Sequence, residues 1–309
     1  MEQINLMALG NALTDIIIKV REKELEDLGV KKGGGAGIGK LNPDLFSKIL
    51  SGKKQEICQA GSPTNTIFNA SRLGLKTGLI GSIGYDSVGE LYLETLKKYN
   101  IKEIFNRTKG KSGVCYILVT PDGERTNIAS LGVSGCFNPD FKELEKLRAK
   151  IFHTSGYEVA SNPEKAEEIV NYFKNKGAKI SFDLAAESMV RKQRKTIENI
   201  VEKTDILFAT EEEARELTGK APSKALKELA KICNIVSLKR GKKGSDVKQK
   251  SEQYKIPAYP TELINTCGAG DAYASGFLFY YLRQFSLEEC GRMGSYIASR
   301  ACGIKSSHL

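Results

Sequence analysis

The chain has 309 residues, and its 40% of hydrophobic residues suffices for a sizeable core. Its apolar runs are shorter than a membrane span, and the residues behind its net charge of +10 are spread over several helices, so we expect neither a membrane nor a nucleic-acid partner. The seven cysteines include no C-x-x-C pair and no secretion signal is visible, which favours a reduced, cytoplasmic protein. With only two histidines, His153 and His308, we expect no histidine-based metal site or catalytic triad.

The first half of the chain predicts a mixture of strands and helices. An apolar run over residues 4–9, ending in Gly10-Asn11, is typical of a buried strand, and a second strand pattern covers 15–20. The glycine-rich segment 31–40 fits no regular element. Beyond it the pattern predicts helices over 43–50, 62–73 and 88–98, a strand over 77–80, and strands over 113–120 and 125–129 joined by a hairpin turn.

The second half alternates regularly between helix and strand patterns. The predicted helices cover 139–149, 163–176, 188–202, 211–217 and 223–231, the strands cover 150–153, 179–183, 205–208 and 235–238, and a hairpin at 245–256 precedes a last helix. This alternation predicts an α/β fold in which helices cover both faces of a mostly parallel sheet. Ligands of such folds bind beyond the carboxyl ends of the strands. We predict one domain over residues 1–309, with a small β lid formed by residues 13–40 and 108–130.

One stretch, residues 265–283, combines a glycine turn with the start of a helix. Gly268-Ala269-Gly270 allows a tight backbone bend, and the free N–H groups of the following helical turn favour an anion at that point. Asp271 stands at the edge of this site. An acid beside an anion site is typical of a base in phosphoryl transfer, but it would also be typical of a simple helix N-cap.

A second glycine-rich stretch, residues 34–40, imitates a phosphate-binding P-loop. The residue after Lys40 is Leu41, whereas a P-loop requires Ser or Thr there to hold magnesium. A new helix also begins at Asn42-Pro43, where the helix of a P-loop would already be running. The segment is therefore predicted to be a glycine-rich strand or turn.

Several short motifs occur in a characteristic order along the chain. They are Gly10-Asn11 with Asp15, Ala60-Gly61-Ser62-Pro63-Thr64-Asn65, Gly81-x-x-Gly84-x-Asp86-x-x-Gly89, Asp122-Gly123-Glu124-Arg125, Phe182-Asp183-Leu184, Thr210-Glu211-Glu212-Glu213, Lys239-Arg240-Gly241-x-x-Gly244 and Asn265-Thr266-Cys267-Gly268-Ala269-Gly270-Asp271. This ordered set resembles the PfkB (ribokinase-like) family of carbohydrate and nucleoside kinases over nearly the whole chain. Within that family the N-terminal half resembles adenosine kinases.

The resemblance implies a ribokinase-like fold and a set of roles for the acceptor side of the site. Asp271 would be the catalytic base, the backbone amides of Gly268, Ala269 and Gly270 would stabilise the transferred group, and Arg125 would reach phosphate oxygens. The implied substrate-binding residues are Asn11, Asp15, Gly61, Ser62 and Asn65. Each of these polar residues taken singly could instead be an Asx turn or an N-cap.

The resemblance also implies ATP and Mg²⁺ as cofactors, and it allows a monovalent cation. Glu213 would hold the metal ion through water, and the implied nucleotide-binding residues are Thr210, Lys239, Gly241 and Gly244. Several positions depart from the family pattern, among them Ala60 in place of a glycine and Ala185-Ala186 in place of a polar pair. Asn265 replaces an aspartate at the start of the last motif, and Thr210 replaces an asparagine.

Three functions remain open on this reading. We expect first an ATP- and Mg²⁺-dependent kinase that phosphorylates a primary hydroxyl group of a nucleoside, with adenosine as the first candidate. A ribokinase- or fructokinase-like sugar kinase is the alternative within the family. The departures at Asn265 and Thr210 would also suit a weakly catalytic ligand-binding homologue, and the sequence leaves open a monomer or a homodimer.

Overall fold

The computed structural model describes residues 1–304, so His308 lies outside the described residues. The main sheet has nine strands in the order β14-β13-β12-β11-β10-β9-β1-β5-β6, and a second sheet has five in the order β3-β8-β7-β2-β4. The strands are β1 Glu2–Leu9, β2 Leu13–Lys19, β3 Gly35–Gly37, β4 Gln55–Ala60, β5 Thr77–Ile83, β6 Lys102–Arg107, β7 Gly113–Val119, β8 Arg125–Ser130, β9 Leu147–Ser155, β10 Lys179–Asp183, β11 Ile206–Thr210, β12 Ile235–Lys239, β13 Ser245–Gln249 and β14 Glu252–Ile256.

The helices cover both faces of the main sheet. They are α1 Glu22–Asp27, α2 Pro43–Leu50, α3 Ser62–Arg72, α4 Ser87–Lys98, α5 Phe141–Glu145, α6 Gly156–Ser161, α7 Pro163–Asn175, α8 Glu187–Lys192, α9 Arg194–Val201, α10 Glu211–Thr218, α11 Pro222–Ile232, α12 Ala269–Leu282 and α13 Leu287–Cys302, with 3₁₀ turns at Ile38–Lys40 and Gly241–Lys243. Within residues 1–304, no helix has both the length and the apolar character that a membrane crossing would need.

The main sheet is parallel from β12 to β6, and the hairpin β13–β14 adds an antiparallel edge. Strand β1 shows why both faces are apolar. Met7 and Leu9 pack into a core cluster with α7, α9 and α11, whereas Leu6 and Ala8 pack into a second cluster with α3, α4 and α12. The α/β fold with a mostly parallel sheet is therefore confirmed, and the carboxyl ends of the parallel strands meet at one edge.

The second sheet has a core of its own, in which Ile16, Ile18 and Leu118 pack against Phe46 of α2. It contains β2, β3, β7 and β8, from the segments that the sequence predicts to form a lid, and also β4, which the sequence pattern does not reveal. The sequence of β4, Gln55–Ala60, shows no regular alternation of polar and apolar residues, because only the last two residues of the strand are buried.

Other differences concern element boundaries. The predicted helix over 139–149 ends early, because Leu147 already pairs with Glu2 in the main sheet. The predicted helix over 188–202 is two helices that meet at Gln193. The glycine-rich segment is strand β3 followed by a 3₁₀ turn, and α2 begins only after its cap Asn42, so the helix that a P-loop needs does not start at Lys40. Strand β6 and helices α1, α6 and α13 had no prediction.

Candidate active site

The predicted site residues lie mainly at the carboxyl edge of the main sheet. Asn11 follows β1, Thr210 ends β11 and Lys239 ends β12, while Asp15 enters from β2 of the second sheet. The chain therefore brings together groups that are far apart in sequence. A groove of about 840 Å³, lined by residues such as Gln3, Lys150 and Lys179, lies at the opposite edge, where these strands begin, and contains none of the predicted site residues.

Asp271 stands in the first turn of α12 and is held by α3. Its Oδ1 accepts a hydrogen bond from Ser62 Oγ at 2.6 Å, and its Oδ2 accepts one from Asn65 Nδ2 at 2.8 Å. The N-cap of α12 is Gly268, in the left-handed conformation with φ 75°. The carboxylate therefore does not cap its own helix. Ser62 and Asn65, which are predicted to bind the substrate, fix the position of this carboxylate.

The environment of Asp271 sets its protonation state. Burial raises the pKa of Asp271 to about 6, although the hydrogen bonds from Ser62 and Asn65 lower it and the charge of Lys239 lowers it further. The carboxylate is consequently ionised at neutral pH and close to its titration range. That is the condition required of a general base.

One of the three backbone amides predicted to bind an anion is already bonded at the start of α12. The amide of Ala269 donates to Thr266 O at 3.2 Å. Within residues 1–304, the amides of Gly270 and Asp271 have no hydrogen-bond partner. Of the predicted set Gly268, Ala269 and Gly270, Ala269 is therefore already bonded, whereas the amide of Asp271, outside that set, is an additional donor for an anion.

Gly61 ends the turn between β4 and α3 with φ 117°. A Cβ atom at this position would collide with the carbonyl oxygen of Asn11. Only glycine allows the two backbone segments to approach so closely. This contact places the start of α3, which carries Ser62 and Asn65, against the loop that carries Asn11.

Asn11 is buried and linked to a residue that the sequence analysis missed. Its amide donates to Glu158 Oε1 at 3.0 Å and its Nδ2 donates to Ser161 Oγ at 3.0 Å, whereas its Oδ1 is buried without a partner among the described residues. Glu158 also accepts from Ser155 Oγ at 2.5 Å, and burial raises its pKa to about 7. Its position just after the carboxyl end of β9 was the available signal.

Asp15 lies on β2, inside the second sheet. Its side chain is 7% exposed, and burial raises its pKa to about 7 although the charge of Arg125 lowers it. Burial raises the pKa of the Cys267 thiol, and the charge of Asp15 is the second largest cause of that rise. Asp271 and Arg125 also act on that pKa, so these three charged groups lie within electrostatic range of Cys267. The roles of Asp15 and Arg125 stay predictions.

Lys239 is surrounded by carboxylates. Its Nζ donates to Asp183 Oδ2 at 2.6 Å. Burial lowers the pKa of Lys239, but the charges of Asp183, Glu213 and Asp271 outweigh burial and raise it. A Cβ atom placed on Gly270 would lie 3.2 Å from this ammonium nitrogen. Lys239 was predicted to line the nucleotide pocket, yet its charge stands at the N-terminus of α12.

Thr210 and Glu213 form a reciprocal capping box at the start of α10. Glu213 N donates to Thr210 Oγ1 at 3.2 Å, and Thr210 N donates to Glu213 Oε2 at 2.8 Å. Burial raises the pKa of Glu213, and Lys239 opposes that shift. The threonine therefore provides the cap that an asparagine would provide.

Local structure accounts for Asn265, which also departs from the family pattern, and for Gly244, one of the two glycines predicted to bind the nucleotide. Asn265 Oδ1 accepts from Cys267 N at 2.9 Å, a turn that an aspartate oxygen would make equally well. Gly244 is required by packing, because a Cβ atom there would collide with Ile256 O. Gly241, with φ 54°, faces open space.

Tyr157, also missed by the sequence analysis, follows β9 with an exposed ring. Partial burial of the side chain raises the pKa of Tyr157 to about 12, and the charges of Asp271 and Glu213 contribute. The hydroxyl therefore lies in the field of the site carboxylates. Within residues 1–304, no group of three or more His, Cys, Asp or Glu side chains is arranged to hold a metal ion.

Known proteins resemble this chain over most of its length. The family model for pfkB family carbohydrate kinases matches residues 46–307. A protein of Archaeoglobus fulgidus described as an uncharacterized sugar kinase is 27% identical, covering 74% of this chain and 92% of its own. The cytidine kinase of Thermococcus kodakarensis is 30% identical, with coverages of 83% and 91%.

A solved structure, the adenosine kinase of Sinorhizobium meliloti, superposes with a TM-score of 0.87 at 26% identity, covering 99% of this chain and 96% of its own. The predicted family and the ribokinase-like fold are therefore confirmed. The chain belongs to the pfkB family of carbohydrate kinases and is a phosphotransferase with a hydroxyl group as acceptor.

Proposed function

We propose that this protein transfers the γ-phosphoryl group of ATP to a primary hydroxyl group of a nucleoside, with adenosine as the first candidate. The observation that supports this best is the position of the Asp271 carboxylate, fixed by Ser62 and Asn65 next to two free amides of α12. A base and an anion site side by side suit the activation of a hydroxyl group next to a phosphoryl group.

In the proposed reaction, Asp271 accepts the proton of the acceptor hydroxyl group as its oxygen bonds to the γ-phosphorus. The bond from the γ-phosphorus to the oxygen that bridges it to the β-phosphate breaks, and ADP leaves. The amides of Gly270 and Asp271 stabilise the charge on the transferred group, and Arg125 approaches its oxygens from the second sheet. Ser62 and Asn65 orient the base.

Asp15, Asn11 and Gly61 would bind the acceptor. Asp15 has a buried carboxylate, and Asn11 has a buried side-chain oxygen that lacks a donor among residues 1–304. Two such acceptor atoms suit vicinal hydroxyl groups. We propose that the second sheet, which carries Asp15 and Arg125, acts as the lid over this acceptor.

Glu213 would hold a Mg²⁺ ion through water, with Thr210, Gly241 and Gly244 on the nucleotide side. Mg²⁺ usually takes one or two carboxylates and completes its shell with water and phosphate oxygens, so the single carboxylate of Glu213 fits this metal. When bound, the ion would neutralise charge on the β- and γ-phosphates. Glu213 is oriented for this by its hydrogen bond from Thr210 N.

The acceptor is proposed on the likeness to nucleoside kinases. The cytidine kinase relative makes cytidine a second nucleoside to test, and the sugar kinase relative supports a free sugar as the alternative acceptor. A panel of nucleosides and sugars should be assayed with ATP and Mg²⁺, with and without K⁺. Turnover of sugars only would select the alternative. Melting shifts without turnover of any member would indicate a binding homologue.

The base is tested by Asp271→Asn within the same panel. Loss of the base should lower kcat by about 10²–10⁴-fold, because general base catalysis contributes that much. Asp44→Asn, which removes an exposed carboxylate from α2, is the matched control and should keep wild-type turnover. Wild-type turnover by Asp271→Asn would rule out the base assignment.

A further inference from the structure

Lys239 has an environment that its predicted place in the nucleotide pocket does not explain. Its side chain is 14% exposed and its ion-pair partner Asp183 is 5% exposed. Burying a lysine this deeply costs desolvation free energy unless anionic groups or hydrogen-bond acceptors compensate its charge. Asp183 Oδ2 accepts from one of the three N–H groups of this ammonium group, and Asp183 Oδ1 accepts from Ala185 N at 3.0 Å.

The ammonium group points at the anion site. It lies close enough to Gly270 that a Cβ atom there would approach it to 3.2 Å. Lys239 is the last residue of β12 and pairs with Thr210, the last residue of β11, so its position is fixed by the sheet. An anion bound to the amides of Gly270 and Asp271 would therefore lie next to this charge.

We propose that Lys239 is a catalytic residue whose ammonium group, held by Asp183 beside Gly270, contacts the phosphoryl group during its transfer. This rests on the proposed function. Lys239 neither gains nor loses a proton. It stabilises the negative charge that the equatorial oxygens carry while the bond to the leaving ADP breaks and the bond to the acceptor oxygen forms.

The alternative is that Lys239 only neutralises Asp183. Lys239→Met alone would leave Asp183 buried and unpaired, so it would lower the melting temperature under both explanations. The double variant Asp183→Leu with Lys239→Met removes both charges and should recover the melting temperature. Lys239→Arg keeps the charge but not the shape of the ammonium group. Lys227→Met, on the exposed side of α11, is the matched control.

The expected result is a loss of kcat by about 10²–10³-fold in Lys239→Met and in the double variant, with the acceptor KM nearly unchanged. The loss should persist at a pH where Asp271 is fully ionised in every variant, and Lys239→Arg should recover part of it. A double variant that recovers kcat together with its melting temperature would overturn the proposal. Wild-type kcat in Lys239→Met would overturn it as well.

A second measurement separates this proposal from the proposed function. Inorganic triphosphate should raise the melting temperature of the wild type and of Lys227→Met, but much less that of the Asp183→Leu, Lys239→Met double variant. If no panel member is phosphorylated and this difference is still found, the proposed acceptor is wrong and the anion role of Lys239 stands. Equal shifts in all three proteins would remove the anion role.

Discussion

At the scale of single residues, the site depends on how the Asp271 carboxylate is kept ionised. Burial alone would favour the protonated acid, and three groups oppose it: Ser62, Asn65 and Lys239. A rate that requires the ionised base must fall as the pH decreases through about 6, the pKa of this carboxyl group.

Ser62→Ala tests this balance. Removing a hydrogen bond to a charged group costs about 1.5–3 kcal/mol, so we expect the acidic limb of the kcat–pH profile to move to higher pH by about one to two units. The profile is measured with both substrates saturating. Ser71→Ala, on the same helix but bonded to Tyr99 O, should leave the limb in place. An unmoved limb in Ser62→Ala would contradict this account of the base.

Asp15 leads to a prediction about stability. Its pKa is raised by burial to about 7 in the folded protein. The folded state therefore binds its proton more tightly than the unfolded state, and stability is lost as pH rises from about 4 to 7. Asp15→Asn should be more stable than the wild type by an amount that grows over this range, to about 4 kcal/mol at most, and then stays constant.

The measurement is urea unfolding of Asp15→Asn and the wild type between pH 4 and pH 8. Asp44→Asn removes the same charge from the exposed surface of α2 and serves as the control. If the difference in the free energy of unfolding between Asp15→Asn and the wild type did not change with pH, ionisation of Asp15 would not destabilise the folded protein. The variant should also bind the acceptor poorly, because one of the two hydroxyl-accepting oxygens is replaced by an NH₂ donor and the negative charge is lost.

At the scale of elements, the junction between β4 and α3 connects the two sheets. Gly61→Ala should shift the Asn11 carbonyl oxygen, which a Cβ atom would hit, and so both destabilise the protein and raise the acceptor KM. We expect a loss of stability above about 2 kcal/mol. Gly29→Ala is the control, because Gly29 has φ 65° but no atom within 4 Å of a Cβ position. Equal losses in both variants would mean that backbone strain, and not the collision, is responsible.

At the scale of the whole molecule, the sequence predicted what periodic patterns encode. Strand β10 was predicted with the bounds it has, because its apolar run is short and flanked by helices. β4 and β6 are the edge strands of their sheets, where fewer side chains need to be apolar. The hydrophobic pattern of their sequences is therefore weak. Leu147 was assigned to a helix because pairing with a strand 145 residues earlier leaves no local trace.

The candidate site shows the same limit. The motifs and their family resemblance predicted which residues matter, including Asp271, Asp15 and Glu213. They could not predict that Ser62 and Asn65 would face Asp271, that Lys239 would stand over Gly270, or that Glu158 would hold Asn11. Those contacts depend on side-chain directions across several elements, which a linear pattern does not contain.

The hydrogen bond between Ser62 and Asp271 closes a loop of 209 residues. Contacts of such high sequence separation carry a large entropy of loop closure and form late in folding. We expect refolding from urea to recover helical circular dichroism first and phosphotransferase activity only with the slowest phase. Activity that returned together with the first helical signal would show that α3 and α12 meet early, before the strands between them are in place.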